Sequence, residues 1–472
     1  LPVLGTQLKT QGDTDDAPYL LGDPGGGLDE ATNRLAKLWG NLQRLQAAGL
    51  KKQRVAALLK AYAGPASQHA LQLGLATEDE ANRYDDLLTA AWTNLLERRL
   101  DDTAKLRLGL PVRLSGVGVQ WASARRNAAF WSGWTALAAD VQADAGSETL
   151  AELLDRLPHL TAKLTAARAG LAQQGTPASD GATLADALGK HNRQRSFLAV
   201  AQKKQHAAHK QSLSTDGKAV FESAGGPGAG AFLLYPQDAN SSMEDVYWQT
   251  SVRLRLGFKR PEYTEQQLPH AVTTCHNKNA TGNLCGQPLD DGSFHCLTCQ
   301  TGGGTLQRHD CYGKACGALV KRWSSQEPLF EQRVPAWDRE RRRTAASDDP
   351  LERAVLDVEY TDQNERRWID VSIRHAAAGT NSDVARAARR AGEAARRGER
   401  CKHDRYPGTQ LDALVVEVHG RLGGEARQWL RKQTSQLPDD EQHRELTRAY
   451  QALSCTLQTQ LARQLRSAAG LR

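Results

Sequence analysis

The sequence predicts an α+β fold, with an all-α bundle in the N-terminal part, then a small domain that contains both strands and helices, and C-terminal helices. Three observations support this prediction. Apolar residues recur at helical spacing across residues 28–212. Two runs rich in Val, Ile, Tyr and Trp, at 354–361 and 367–375, flank a polar turn at 362–365, as in a β-hairpin. The apolar run 411–418 is typical of a buried strand.

The bulk composition fits a globular protein with several domains. The chain has 472 residues, of which 40% are hydrophobic, so it has room for two or three domains with cores. Its net charge of +7 is compatible with a polyanionic partner, although this excess is small for the length. No run approaches about 18 apolar residues, so we expect no membrane span. The chain opens on Leu1 and its one methionine is Met243, so we expect a fragment of a longer polypeptide.

Composition changes along the chain predict six regions. These are an irregular segment 1–27, helices at 28–212, a linker at 213–246, a cysteine-rich segment 247–310, the strand-containing domain 311–435, and helices at 436–472. Gly64-Pro65 is expected to end the first helix, and Thr77 with Glu80 has the spacing of a capping box. Segment 247–258 fits either a strand or a helix. The Gly-rich stretch 224–232 lacks the Gly-Lys-Ser/Thr ending of a phosphate loop, which favours a linker.

Six of the 8 cysteines lie between residues 275 and 316, and this clustering favours a metal over disulfides. The four candidate ligands are Cys275, Cys285, His295 and Cys299, an S₃N set that suits tetrahedral Zn²⁺. Nine residues separate Cys275 from Cys285, more than the two to four that are usual, so Cys296 or His276 remains an alternative ligand. The other interpretation is a group of buried free thiols. Cys311 and Cys316 fit the core of the following helix.

The hairpin carries one acid on each strand. With the turn centred between Gln363 and Asn364, Asp357 and Asp370 face each other across the ladder. Directly opposite Cβ atoms lie about 4.5–5.5 Å apart, and like charges at that distance destabilise a hairpin. A divalent cation between the carboxylates would offset this repulsion. The alternative is two solvated acids on an exposed face.

Basic residues dominate the segment after the hairpin. A helix is predicted over 383–406, starting at Ser382 or Asp383, with a face suited to phosphates. Its arginines include Arg389, Arg390, Arg396, Arg397 and Arg400. Lys402 and Tyr406 are spaced i,i+4 and share a face at the end of this helix. The alternative is a solvated basic helix. Upstream, Asp310 is placed to cap a helix over 311–324, with Arg308 and His309 just before it.

This order of motifs resembles the restriction-like endonuclease domain of non-LTR (LINE-type) retrotransposon polyproteins. The resemblance implies the PD-(D/E)XK nuclease fold, a small α/β domain with a mixed sheet. The resemblance covers roughly residues 247–435. It assigns a zinc knuckle to the Cys/His set, an Arg-His-Asp turn to residues 308–310, the metal-binding acids to Asp357 and Asp370, and the displaced Lys and Tyr to Lys402 and Tyr406. Leu356 stands where the family has Pro, and Asp370-Val371-Ser372 lacks the usual Lys.

The resemblance implies a metal-dependent DNA endonuclease that nicks a double-stranded DNA target to prime reverse transcription. Mg²⁺ or Mn²⁺ would be catalytic and Zn²⁺ structural, with Glu417 either a further acid near the metal or a buried structural residue. Arg308, His309 and the arginines of 383–406 would contact nucleic acid. Element RNA would be a second partner, in the nucleus.

Residues 1–145 resemble the end of such a reverse transcriptase, with a primer-grip-like start and a thumb-like set of helices. The catalytic palm is not in the sequence, so no polymerase activity is expected. Two other interpretations remain: a non-catalytic zinc-containing module that binds nucleic acid, and a decayed, inactive retroelement copy.

Overall fold

Helices form most of the N-terminal part of the protein, as far as the structure describes it. The structure, a computed structural model, describes residues 26–74, 76–147, 149–176, 183–188, 194–324, 327–340 and 351–471. The primer-grip-like segment lies outside them. The first ten helices are α1 (Gly26–Ala47), α2 (Lys52–Leu73), α3 (Glu78–Leu96), α4 (Asp102–Gly109), α5 (Ala122–Asp144), α6 (Leu150–Arg156), α7 (Pro158–Gln173), α8 (Leu184–Leu188), α9 (Gln194–Ser212) and α10 (Thr215–Ser223).

Local capping signals predicted some helix ends and not others. The capping box of α3 is confirmed, because Thr77 N–H donates to Glu80 Oε2 at 2.7 Å and Glu80 N–H donates to Thr77 Oγ1 at 3.2 Å. The prediction that Gly64-Pro65 ends the first helix is wrong. The chain instead breaks at Gly49, whose φ is +99°, and α2 continues through Pro65. Packing against α5 supports this continuation, since Arg125 donates to the Gly64 carbonyl at 3.2 Å.

The segment that fitted either a strand or a helix forms a helix, α11 (Asp245–Leu256). It packs against the N-terminal bundle and carries two buried arginines. Arg253 Nε donates to the Leu96 carbonyl at 2.7 Å, and Arg255 donates to the carbonyls of Gly116 and Val112, both at 2.8 Å. These bonds satisfy guanidinium groups that burial removes from water, and they hold α11 against α3 and the loop after α4.

A four-stranded mixed sheet forms the centre of the C-terminal part. The elements there are α12 (Phe294–Thr298), α13 (Gly304–Ser324), β1 (Leu329–Arg333), β2 (Arg339–Glu340), β3 (Leu351–Glu352), β4 (Val355–Asp362), β5 (Glu365–Arg374), α14 (Asn381–Arg389), α15 (Glu393–Arg405), β6 (Leu411–Glu417), α16 (Gly424–Thr434) and α17 (Asp439–Ala468). The sheet has the strand order β1, β4, β5, β6, with antiparallel pairs up to β5 and a parallel β5–β6 pair. The predicted strand 411–418 and the predicted mixed sheet are confirmed. Helices α14 and α15 make the crossover that a parallel pair requires.

Both faces of the sheet are covered by helices. On one face, Val358, Ile369 and Val416 join a core with residues of α13, α16 and α17. On the other face, Trp368 and Val415 pack with Ala395 of α15 and with Tyr406, which follows that helix. Parallel strands buried on both faces read as continuous apolar runs, which explains the composition of β6.

The long helix α17 joins the two parts of the molecule. Cys455 lies in the core of the N-terminal bundle, whereas Leu461 and Leu465 lie in the core beneath the sheet. Ser251 of α11 donates through its hydroxyl to the Gln458 carbonyl at 3.0 Å. The C-terminal helix is therefore shared between the bundle and the sheet domain.

Two predicted helix boundaries near the sheet are wrong. The basic segment 383–406 is not one helix, because Gly392 has a φ of +79° between α14 and α15. Its arginines consequently do not follow a single helical face. Asp310 does not cap a helix, since α13 begins six residues earlier, at Gly304. The start of α14 is capped by Thr380 in a capping box with Asp383, slightly before the predicted start.

Two buried imidazoles at the ends of β5 and β6 predict a loss of stability in acid. Burial lowers the pKa of His375 to about 4 and that of His419 well below its usual value of 6.5. Between pH 6.5 and 4 the unfolded chain binds protons that the folded chain excludes, so the free energy of unfolding falls as the pH falls through this window. His375→Asn keeps an acceptor for the Ala377 N–H, which lies 3.2 Å from His375 Nδ1. Between about pH 7 and pH 5, the free energy of unfolding should fall by about 1–2 kcal/mol less in this variant than in the parent. Urea unfolding at both pH values provides the measurement.

The matched control is His159→Asn, at an exposed position of α7. This variant should keep the pH dependence of the parent. Equal pH dependence of the parent and the His375 variant would show that burial of this imidazole does not cause the loss of stability.

Candidate functional site

Cys275, Cys285, His295 and Cys299 converge on one point, with one ligand atom from each lying within 4.8 Å of the others. The Cys299 sulfur lies 3.9 Å from that of Cys275 and 3.8 Å from that of Cys285, and the Cys285 sulfur lies 3.5 Å from His295 Nε2. Tetrahedral zinc, with Zn–S of about 2.3 Å and Zn–N of about 2.0 Å, requires S–S edges of about 3.8 Å and S–N edges of about 3.5 Å. The predicted ligand set therefore has the geometry to hold a metal such as zinc.

A short antiparallel turn explains the unusual spacing of the first two cysteines. Cys275 N–H donates to the Gln287 carbonyl and Cys285 N–H donates to the Asn277 carbonyl, both at 2.8 Å. The nine intervening residues thus form a small hairpin that returns Cys285 to the side of Cys275. The long spacing departs from the usual knuckle without separating the ligands.

The other two ligands lie one helical turn apart. The Asp290 carboxylate accepts from the N–H groups of Phe294 and His295, at 2.8 and 2.7 Å, and so starts α12. At the other end of α12, Cys299 N–H donates to the His295 carbonyl at 2.8 Å. The carboxylate therefore fixes the segment that aims His295 and Cys299 at the cluster.

The remaining cysteines of this region lie outside the cluster. Cys296 was an alternative ligand, but it is 1% exposed and packs in the core beside Leu297. Cys316 is fully buried in α13, as expected of a core residue. The other alternative ligand, His276, is not among the four residues that converge.

Arg308, a predicted contact of nucleic acid, is buried in the structure. It is 5% exposed, and its guanidinium donates to the Leu297 carbonyl at 3.1 Å and to Gln464 Oε1 at 2.7 Å. Arg308 consequently links the cysteine-rich segment, α13 and α17. No local pattern could indicate this burial, because the two partners lie 11 and 156 residues away in the chain.

The hairpin forms with the predicted register over most of its length. Its Cα pairs run from Asp362–Glu365 at the turn to Val358–Ile369. Gln363 and Asn364 have φ values of +49° and +66°, the left-handed pair that a two-residue type I′ turn requires. The turn residues therefore set the register by local chemistry.

The predicted pairing of Asp357 with Asp370 does not form, because the ladder ends one pair earlier. Asp357 Oδ2 instead accepts from the Val371 N–H at 2.6 Å. On the other side of β4, Glu331 has a φ of +53°, so the backbone of the neighbouring strand is also irregular at this point. A carboxylate that binds the backbone of the next strand takes the place of a ladder hydrogen bond and keeps the two acids near each other.

Asp370 forms an ion pair with Lys402, and its Oδ2 lies 2.6 Å from Lys402 Nζ. Asp370 is 4% exposed, and Lys402 reaches it from the last turn of α15. Tyr406 is the first residue after α15. Burial together with the charge of Asp370 raises the pKa of the Tyr406 hydroxyl. The structure therefore brings together the two acids, the lysine and the tyrosine that the sequence predicted as one site.

His309 also belongs to this site. Its Nε2 lies 3.5 Å from Asp357 Oδ2 and 3.2 Å from the Val371 carbonyl oxygen. The sequence predicted a contact with nucleic acid for His309 and missed its closeness to Asp357. No local signal could have revealed it, because the contact depends on how α13 packs on β4.

The pKa of Asp357 reflects the electrostatics of the site. Burial is the main cause that raises the pKa of Asp357 to about 6. His309 opposes this rise, and the charge of the neighbouring Asp370 contributes to it. Two carboxylates that disfavour each other's charge form a site where a cation stabilises the ionised pair. We refer to Asp357, Asp370, Lys402, Tyr406 and His309 as the acid cluster.

Glu417 lies away from the acid cluster. It pairs with Arg374 at the far end of β6, whereas Asp370 pairs with Ala413. It is 1% exposed, and its Oε1 accepts from the Ala395 N–H at the start of α15, 3.2 Å away. Of its two expected roles, this geometry supports the structural one.

The predicted phosphate-binding arginines differ in what they contact. Arg389 and Arg390 are exposed and form no ion pair within the described part of the chain. Glu393 accepts from Arg396 at 2.9 Å and lies 3.6 Å from Arg400. Arg397 also forms an ion pair, with Asp383 at 2.8 Å. Half-buried pairs of this kind reduce the charge that these three arginines present to a ligand.

Comparison with protein-family models finds no match to this chain, and comparison with curated proteins finds none either. Among the described helices, none has both the length and the apolar character needed to cross a membrane. The geometry of the chain itself is therefore the basis for assigning its function.

The Cys/His cluster predicts one bound zinc per chain. Cys275→Ser and His295→Ala should each remove most of the zinc, because a tetrahedral site that loses a ligand binds far more weakly. Zinc content of the purified protein, measured by mass spectrometry of the metal, provides the test.

The matched control is Cys296→Ala, which removes a buried thiol of the same segment that lies outside the cluster. We expect this variant to keep one zinc. Loss of zinc from the Cys296 variant with retention in the Cys275 variant would show that the ligand set is wrong.

Proposed function

We propose that this protein is a metal-dependent DNA endonuclease of the restriction-like type found in non-LTR retrotransposon polyproteins. The observation that carries the proposal is the meeting of Asp357, Asp370 and Lys402, which come from two strands and a crossover helix. The ion pair of 2.6 Å between Lys402 and Asp370 supports the displaced-lysine arrangement that the resemblance implies. In this proposal the nick supplies the end that primes reverse transcription.

The acid cluster fits a divalent cation. Carboxylate oxygens are the ligands that Mg²⁺ and Mn²⁺ prefer, and a buried pair of acids gains from a cation that offsets their repulsion. Asp357 and Asp370 would hold the ion. When bound, such an ion lowers the pKa of a water and stabilises charge on a phosphate.

Three residues around the acids have distinct roles in the proposal. Lys402 orients the attacking water and offsets negative charge that develops on the scissile phosphate. Tyr406, beside Lys402, positions that side chain or the phosphate. His309 holds Asp357 in place by contacts on the side facing α13 and can move a proton at Nε2.

The Cys/His cluster has a structural part in the proposal. Arg308 of α13 donates to the carbonyl of Leu297, which lies between the ligands His295 and Cys299, and to Gln464 Oε1 of α17, so the segment that carries the cluster is joined to both helices. The double-stranded DNA target would meet the exposed Arg389 and Arg390. Element RNA as a second partner and action in the nucleus follow from the resemblance alone.

A non-catalytic nucleic-acid-binding module is the second candidate, and one observation favours it. Lys402 neutralises Asp370, and His309 stands beside Asp357, so both acids have partners within the protein without any cation. A decayed copy that keeps its fold would retain the same contacts. The two candidates differ in whether the protein cleaves DNA, and only the endonuclease needs the acids for cleavage.

Substitution of either acid tests the proposal directly. Asp357→Asn and Asp370→Asn keep the size of the side chain and remove its charge. We expect each to reduce nicking of supercoiled plasmid in Mg²⁺ or Mn²⁺ by at least about 100-fold, while affinity for the same DNA changes little. Nicking is followed by conversion of supercoiled plasmid to open circles on a gel.

Asp404→Asn is the matched control, because Asp404 is an exposed carboxylate on α15, two residues beyond Lys402. It should nick like the parent. A parent protein that binds DNA and zinc but does not nick would reject the endonuclease and favour the binding module.

Lys402→Gln separates catalysis from binding. The amide can still hydrogen-bond Asp370 but carries no charge, so we expect nicking to slow by about 100-fold with unchanged DNA affinity. Single-turnover nicking rates at saturating protein provide the measurement. Because loss of one partner of a buried pair destabilises a fold by about 3–5 kcal/mol, urea unfolding of the variant must show that it remains folded under assay conditions. Unchanged nicking by the folded variant would remove Lys402 from the mechanism.

A further inference from the structure

Besides the basic segment 383–406, positively charged side chains also lie close together where the cysteine-rich segment meets the end of α17. A pocket of about 540 Å³ opens there. It is lined by Tyr247, His276, Lys278, Leu284, Arg463, Arg466, Ser467, Gly470 and Leu471. Four of these side chains are basic or can become so, and none of these nine residues is acidic. We call it the basic pocket.

The floor of the basic pocket is fixed by hydrogen bonds between segments about 190 residues apart. His276 N–H donates to the Ala468 carbonyl at 2.8 Å, and the Ser467 hydroxyl donates to Asn277 Oδ1 at 2.8 Å. Asn277 also accepts from the backbone of the metal ligand Cys285. The pocket is therefore held by the same turn that forms the Cys/His cluster.

Two of the cations are available to a ligand. Lys278 and Arg463 are exposed, and neither forms an ion pair with a carboxylate in the part of the chain that the structure describes. The Arg463 guanidinium lies over the ring of Tyr247, 5.1 Å from its centroid. Stacking of this kind holds the planar group in place while leaving its N–H edge free to bind.

We infer that the basic pocket binds phosphate groups of a nucleic-acid strand. Arginine and lysine together are the usual phosphate ligands in proteins. Lys278 and Arg463, which have no carboxylate partner among the described residues, therefore favour a polyanion. The volume is in the range of about 300–1,000 Å³ that holds ligands larger than a single ion. The inference rests on the proposed function only for the choice of nucleic acid as ligand, and it is independent of cleavage by Asp357 and Asp370.

The test compares charge variants in a binding assay without cleavage. Anisotropy of a labelled oligothymidylate of about 12 nucleotides, a length within the usual site size for single strands, is measured with the full chain, with Ca²⁺ in place of Mg²⁺. We expect Lys278→Ala/Arg463→Ala to bind at least about 10-fold more weakly. The slope of log affinity against log salt should become shallower by about 1.4, because each lost single-strand phosphate contact accounts for about 0.7.

Two further variants separate the loss of these two cations from a general loss of positive charge. Arg44→Ala removes an exposed charge from α1 and should bind within about twofold of the parent, since its loss changes only the overall field. Arg463→Lys keeps the charge and should retain most of the affinity. Equal binding by the parent and the double variant, with both folded and containing zinc, overturns the inference.

Competitors identify the source of the phosphate. Displacement of the strand by unlabelled oligonucleotide, but not by millimolar inorganic phosphate or thymidine monophosphate, is the expected result. Displacement by the mononucleotide at similar concentration, lost in the double variant, would keep a phosphate site and assign it to a nucleotide. Equal displacement by an oligoglutamate peptide would overturn the inference, because it would show a surface without preference for phosphate.

Discussion

The ion pair between Asp370 and Lys402 is the constraint on which the sheet domain depends. Asp370 is almost fully removed from water on a strand at the centre of the sheet, and a buried charge without a partner is strongly unfavourable. The last turn of α15 must therefore lie against β5. That placement fixes the crossover between β5 and β6 and brings Tyr406 close to Asp370. The ion pair that positions α15 therefore also positions the side chains of the acid cluster.

Irregularity in β4 allows the two acids to coexist. A regular ladder would place Asp357 directly opposite Asp370, where like charges destabilise the pairing. In the structure, Asp357 leaves the ladder and its carboxylate accepts from the Val371 N–H. The repulsion is reduced without separating the acids. The raised pKa of Asp357 reflects burial first and then the repulsion from Asp370 that remains. A cation bound between two such carboxylates would offset the remaining repulsion, as the proposed function requires.

Helix α17 and the cysteine-rich segment connect the N-terminal bundle with the sheet domain. The buried guanidinium of Arg308, on α13, donates to the Leu297 carbonyl and to Gln464 Oε1. These hydrogen bonds join the segment that carries the Cys/His cluster to α13 and α17. Helix α13 also supplies His309 to the acid cluster. The Cys/His cluster and the acid cluster are therefore connected through α13, although they share no residue.

The sequence by itself determined the features that depend on neighbouring residues. The type I′ turn at Gln363-Asn364 set the hairpin register, and the capping box at Thr77 set the start of α3. The donor types indicated the Cys/His set, with Cys296 or His276 left as an alternative ligand. Tertiary structure decided the rest. It carried α2 through Pro65, divided the basic segment at Gly392, buried Arg308, and brought His309 to Asp357. These outcomes depend on packing between segments far apart in the chain, and such contacts leave no local pattern from which they can be predicted.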